Sequence, residues 1–247
     1  MKLAIMQPYF FPYLGYFQLI FASDKFVFYD DVNYIKSGWI NRNRILVHGE
    51  ARFFTVPLRG ASSFVPINQV EINEQNHKWR RKMLDTVRMA YGRAAYRDIG
   101  VGLLEYVLES KCENIGDIAR VSVKKVLEYL GLVRELVPSS QTYNNQHLNA
   151  QDRILDICRK ENADVYINAI GGADLYQPNA FALQGCDLRF LNSLSPEYLQ
   201  GVERFISGLS ILDLIMHCTR EEIVNMLGKY KLLSPCSEKK QFARSSP

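Results

Sequence analysis

No apolar run in the 247 residues approaches the roughly 20 needed to cross a bilayer, so no membrane insertion is expected. The opening Met1–Met6 run stops at Gln7-Pro8, too short for a secretory leader, and a cytoplasmic protein is expected. Cysteine is scarce and scattered. Cys112, Cys158, Cys186, Cys218 and Cys236 form no C-x-x-C pair, which argues against a disulfide framework and for reduced thiols. The four histidines (His48, His77, His147, His217) lie at no ligand spacing with them, so no metal is expected. Gly-x-Gly-x-x-Gly, the Walker pattern, Gly-x-Ser-x-Gly and His-Glu-x-x-His are all missing, which removes the commonest nucleotide, hydrolase and metalloprotease signatures. Charge of one sign is missing too. Thirty Lys plus Arg against 26 Asp plus Glu leave +4, too even for a dedicated DNA binder.

What is present is ordinary globular composition, 47% hydrophobic and 23% charged. Residues 2–6 and 25–29 read as buried strands around a short helix near 14–20, the pattern of a βαβ unit. Shorter strands are predicted at 45–47, 52–56 and 69–72, with His48-Gly49-Glu50 as a hairpin connection. Apolar residues then recur at helical spacing over 79–91, 101–108 and 118–130. Strands at 135–138, 163–167 and 187–191 alternate with a helix over 151–160, and helices near 209–215 and 220–227 close the chain. The prediction is an α/β fold with a mainly parallel, Rossmann-like sheet and an inserted helical block at about 76–131. A single domain is expected over 1–233, with a disordered polar tail at 234–247. Ligands gather at the carboxyl ends of such strands, where the loops 7–12, 30–43, 138–145 and 168–177 fall.

Those loops hold the candidate chemistry. In Gln7-Pro8-Tyr9-Phe10-Phe11-Pro12, Gln7 offers an amide just past a strand and Tyr9 an apolar ring face, while Phe10 and Phe11 read as core. The stretch Asp30 to Arg44 packs Asp30, Asp31, Lys36, Trp39, Asn41 and Arg42 into one loop. Adjacent carboxylates on extended chain point to opposite faces, so at most one of Asp30 and Asp31 faces a given ligand as a base. Arg42 suits a phosphate, and Trp39 or Tyr9 an apolar ring. The alternative is a salt-bridged loop that only organises itself. His77 opens a helix and is a second candidate base. Gly171-Gly172 after a strand permits close approach of a ligand or simply makes a tight turn.

Taken together, Ile5 to Tyr16, Asp30-Asp31-Val32, Lys36, Gly38-Trp39-Ile40-Asn41-Arg42, Thr55-Val56-Pro57-Leu58, Trp79 with Lys82 and Tyr91, and Tyr166-Ile167-Asn168 with Gly171-Gly172 resemble the WbqC-like family over about residues 3–230. The resemblance implies a setting in bacterial O-antigen and other polysaccharide gene clusters, near enzymes of amino sugars, and establishes no catalytic residue.

That setting suggests an N-acyl or aminoacyl transferase, glycyl among the choices, acting on a nucleotide-linked amino sugar. Its donor is expected to be a phosphopantetheine-linked thioester on an acyl carrier protein, with coenzyme A and aminoacyl-tRNA as alternatives and no tightly bound cofactor. The basic groups at Arg42, Arg44 and Lys78–Lys82 suit either the carrier or the sugar nucleotide. Asp30, Asp31 or His77 is expected to take the amine proton, and Gln7, Tyr9, Lys36, Trp39, Asn41 and Arg42 to bind substrate. Nucleotidyl or glycosyl transfer, and a non-catalytic sugar- or carrier-binding role, remain the rival classes.

Overall fold

The computed structural model describes residues 1–75, 78–194 and 196–235. The elements run in chain order β1 (Lys2–Met6), α1 (Leu14–Ala22), β2 (Lys25–Phe28), β3 (Arg42–Val47), β4 (Glu50–Thr55), β5 (Leu58–Arg59) and β6 (Glu71–Ile72). Next come α2 (Trp79–Ala90), α3 (Arg97–Leu108), α4 (Ile115–Leu130), β7 (Glu135–Val137) and α5 (Ala150–Lys160). The chain continues through β8 (Val165–Ala169), α6 (Pro178–Ala182), β9 (Asp187–Ser193), α7 (Ile211–His217), α8 (Arg220–Leu227) and β10 (Tyr230–Leu233).

The central sheet has six strands in the order β10-β9-β8-β1-β2-β7. All neighbours pair in parallel except β10 on β9. This is the mixed α/β architecture with a largely parallel sheet that the strand–helix alternation predicts. Side chains alternate across each strand, so the sheet covers two cores. Ala4, Phe26, Phe28, Ile167 and Leu191 pack under α1, α4 and α7 on one face. Leu3, Ile5, Val27, Leu188 and Phe190 pack under α5 and α6 on the other. Strands buried on both faces must read as unbroken apolar runs, as Leu-Ala-Ile and Phe-Val-Phe do.

The β3–β4 hairpin stands apart from the sheet. His48 (φ 51°) and Gly49 (φ 80°) supply the two left-handed residues of its tight turn. The helices of the inserted segment have ordinary termini. In α4, Asn114 caps the start by accepting from the Asp117 N–H, and Gly131 (φ 68°) ends it.

The chain leaves β1 for β2 on one side, and it leaves β8 for β9 on the other. That divergence falls between the carboxyl ends of β1 and β8, the position at which parallel sheets of this kind hold ligands. The predicted disordered tail lies almost wholly outside the described residues, as does Cys236. The described cysteines are unbridged. Among the described residues no helix is long and apolar enough to cross a membrane.

Candidate functional site

The turn after β1 is pinned from several sides. The Tyr16 hydroxyl donates to the Gln7 carbonyl at 2.9 Å. Phe11 is fully buried and holds φ 41°, a conformation that a side chain with a Cβ resists. Its N–H donates to Ser122 Oγ at 2.9 Å, and its carbonyl accepts from Asn43 Nδ2 at 2.9 Å and Ser210 Oγ at 2.7 Å. Ser122 in turn donates to the Ala119 carbonyl at 2.7 Å. Ser122→Ala is expected to strand the buried Phe11 N–H and cost about 1–3 kcal/mol, read as a lower urea midpoint at unchanged slope. Tyr9 packs on Tyr16 with ring centroids 5.5 Å apart, and burial, then the neighbouring Tyr13, push its phenol up. The Gln7 side-chain amide has no hydrogen-bond partner among the described residues and is half-buried just past the end of β1.

Beyond β2 the adjacent carboxylates part to opposite sides of the sheet. Asp30 Oδ2 accepts from Arg120 of α4 at 2.6 Å, and Oδ1 accepts from Ser139 Oγ at 2.6 Å. Asp31 takes both oxygens to Arg153 of α5 at 2.8 Å and also accepts from Ser140. The two guanidinium partners differ in access. Arg120 is 18% exposed beside an Asp30 that is 1% exposed, whereas Arg153 and Asp31 are 7% and 5% exposed. Burial pushes the Asp30 carboxyl up, while Ser139 and Arg120 pull it back and Asp31 adds repulsion. Arg153 is held further by Asn145 Oδ1 at 3.2 Å and lies 5.0 Å from the centre of the Tyr29 ring. Burial, opposed by Arg153, pushes the Tyr29 phenol up to about 12.

The first turn and the segment after Asp31 are neighbours. The Phe10 N–H donates to the Ile40 carbonyl at 3.1 Å, alongside the Asn43–Phe11 bond. Asn41 is buried and spends its side chain locally, accepting from the Tyr34 hydroxyl at 2.8 Å and donating to the Val56 carbonyl at 2.9 Å. Arg42 donates through Nε to the Gly38 carbonyl at 3.2 Å and through Nη2 to that of Ser37. Its guanidinium lies 4.3 Å over the Phe53 ring. Trp39 faces Phe53 at 6.1 Å, and Arg44 lies 5.5 Å over Trp39. Lys36 is exposed.

The candidates therefore fall into three groups. Gln7 and Tyr9 line the turn after β1, Asp30 and Asp31 sit at the end of β2, and Lys36, Trp39 and Arg42 surround the hairpin. Asn41 belongs to the hairpin's internal scaffold. His77 lies outside the described residues. Gly172 has a packing reason, since a Cβ there would stand 2.8 Å from Asn168 Nδ2, whereas a Cβ at Gly171 would meet open space. A hollow of about 770 Å³ lies elsewhere, between α2 and α3, and is lined by Arg80, Arg81, Leu84, Leu108 and Cys112. Sequence reading missed Arg120, Arg153, Ser139, Ser140 and Phe53. The one usable signal was charge: two adjacent carboxylates entering a core require cations from elsewhere.

The WbqC-like protein family model matches residues 7–225. The chain belongs to that family. Its matched span includes the β1 turn, both carboxylates with their arginines, and the hairpin. A relative, the "Uncharacterized protein Rv1507c" of Mycobacterium tuberculosis (strain ATCC 25618 / H37Rv), is 26% identical over 223 residues, covering 89% of this chain and 95% of the relative. No solved structure matches.

Proposed function

We propose that this WbqC-like protein transfers an acyl or aminoacyl group, glycyl among them, from a thioester to the amine of a nucleotide-linked amino sugar in O-antigen assembly in the cytoplasm. The observation that carries the reading is Asp30, a carboxylate of raised proton affinity at the end of a central parallel strand, paired with the replaceable cation Arg120. An amino sugar arrives as an ammonium ion, and an ammonium can take the place of a partly exposed guanidinium on Asp30 Oδ2. Once there it gives its proton to that oxygen, and the free amine attacks the thioester carbonyl. A C–N bond forms and the C–S bond breaks; Asp30 passes its proton to the departing thiolate, and the second proton, shed by the nitrogen as the amide forms, leaves to solvent. The Gln7 amide, with donors to spare, is assigned in this reading to the sugar or the carbonyl oxygen.

Arg153 cannot exchange in the same way, because its side chain is 7% exposed against 18% for Arg120. Asp31 is thereby the structural member of the pair and Asp30 the chemical one. The donor carries its own activated bond, so the reading asks for no resident cofactor. An acidic carrier protein suits the exposed Lys78, Arg81 and Lys82, whereas Arg80 is engaged with Glu74 and the Leu108 carbonyl. The test is a transfer assay on purified protein with an amino-sugar nucleotide and a charged carrier, read as the mass of the sugar product.

A further inference from the structure

We infer that the outward face of the β3–β4 hairpin is the nucleotide half of this site, with a base entering between Trp39 and Phe53 and phosphates held by Arg44, Arg42 and Lys36. The register sets Arg44 opposite Phe53 and Arg42 opposite Thr55, so all four share one face. Asn43 and Phe54 face the core. The result is a ladder in which Arg42, Phe53, Trp39 and Arg44 follow one another at 4.3, 6.1 and 5.5 Å.

Three features of the ladder point to a ligand. Phe53 is 51% exposed, although it stands in the middle of the stack. None of Lys36, Arg42 and Arg44 has a carboxylate within ion-pairing distance among the described residues, whereas nearby Arg52 and Arg59 pair with Glu50 and Glu71. Arg44 Nη2 donates to the Gly208 carbonyl at 3.2 Å, while its Nε is buried with no acceptor among the described residues. Cations without carboxylate partners around the exposed Phe53 ring and the half-buried Trp39 match a ligand that is anionic at one end and planar at the other, which is the chemistry of a nucleoside phosphate. Trp39 and Phe53 stand 6.1 Å apart and tilted by 40°. That is an ordinary aromatic contact, and two stacking contacts of ~3.5 Å need ~7 Å between parallel faces, so a base enters by parting the pair. The bonds from Phe10 to Ile40 and from Asn43 to Phe11 join the hairpin to the turn after β1.

The ligand's identity rests on the reading of a nucleotide-linked substrate, but the test does not require transfer. Trp39 and Trp79 are the chain's two tryptophans, and Trp79 is 5% exposed. In a Trp79→Phe variant, emission reports on Trp39 alone. Titration with UDP, dTDP and GDP is expected to give saturable quenching by at least one of them, and inorganic pyrophosphate none. Phe53→Ala and Arg44→Gln should each weaken that nucleotide about tenfold or more, the scale of one lost stacking or charged contact, at unchanged circular dichroism. Calorimetry on the wild type asks the same question without touching Trp79. The inference is overturned if no nucleoside diphosphate binds, if pyrophosphate quenches equally, or if Phe53→Ala leaves binding intact. Acyl transfer that persists while Phe53→Ala and Arg44→Gln bind the nucleotide normally removes the subsite and keeps the enzyme. Nucleotide binding lost in those variants, with no transfer from any donor, does the reverse.

Discussion

Arg153→Met should lower the unfolding free energy by about 3–5 kcal/mol, the cost of leaving a buried carboxylate without its cation. Asp31 offers both oxygens to Arg153 at 2.8 Å, and neither side chain exceeds 7% exposure, so water cannot take over the lost bonds. Methionine keeps much of the arginine stem's volume, which leaves charge as the main change. Urea unfolding of Arg153→Met, Asp31→Asn and the double variant checks this. The double variant should recover most of the loss, because it removes both charges together. A loss below about 1 kcal/mol for Arg153→Met would put the pair in the class of exposed ion pairs and remove it as the tie between β2 and α5.

Asp30→Asn should cut kcat by about 10²-fold or more, because an amide keeps the shape and the Ser139 bond but cannot take a proton. The same experiment with pH varied reports on Arg120. Arg120 holds the Asp30 carboxyl down, so Arg120→Gln should raise it. A base works only when deprotonated, so the acid limb of kcat/KM should move to higher pH. Asp31→Asn and His77→Asn are the comparisons. Full rate in Asp30→Asn together with a collapse in His77→Asn would transfer the base to histidine. Full rate in all three would leave the proton to solvent and make the pocket a positioning device.

The order of these elements was legible where local pattern decides them. Apolar runs marked β1 and β2, and helical spacing marked α2 to α5, within a few residues. The alternation rule also foretold that Asp30 and Asp31 would face apart, and they turn to Arg120 and Arg153 on opposite sides of the sheet. What stayed hidden depends on distant chain. Tyr230–Leu233 carries no strand alternation and becomes β10 only by antiparallel pairing with β9. The five-residue α6 and the two-residue β5 are too short for periodicity to show. Arginine on an amphipathic helix normally reads as solvated, so nothing in the sequence marked Arg153 as buried. Asn41 gave the opposite error of emphasis. Its amide resembles a ligand donor, yet Tyr34 and Val56 consume it. Phe53 read as one more strand residue until the register of β3 on β4 placed it among the cations.

The most direct test of acyl transfer is the mass of an amino-sugar nucleotide after incubation with the purified protein and a carrier protein charged with isotopically labelled glycine. Coenzyme A thioester and glycyl-tRNA serve as parallel donors. The expected result is a new nucleotide-sugar species heavier by one labelled glycyl group in amide linkage, formed by wild type and strongly reduced in Asp30→Asn. An unmodified amino-sugar nucleotide with every donor and a range of acyl groups, from protein shown to be folded and to bind that nucleotide, would contradict acyl transfer and leave a binding protein in its place.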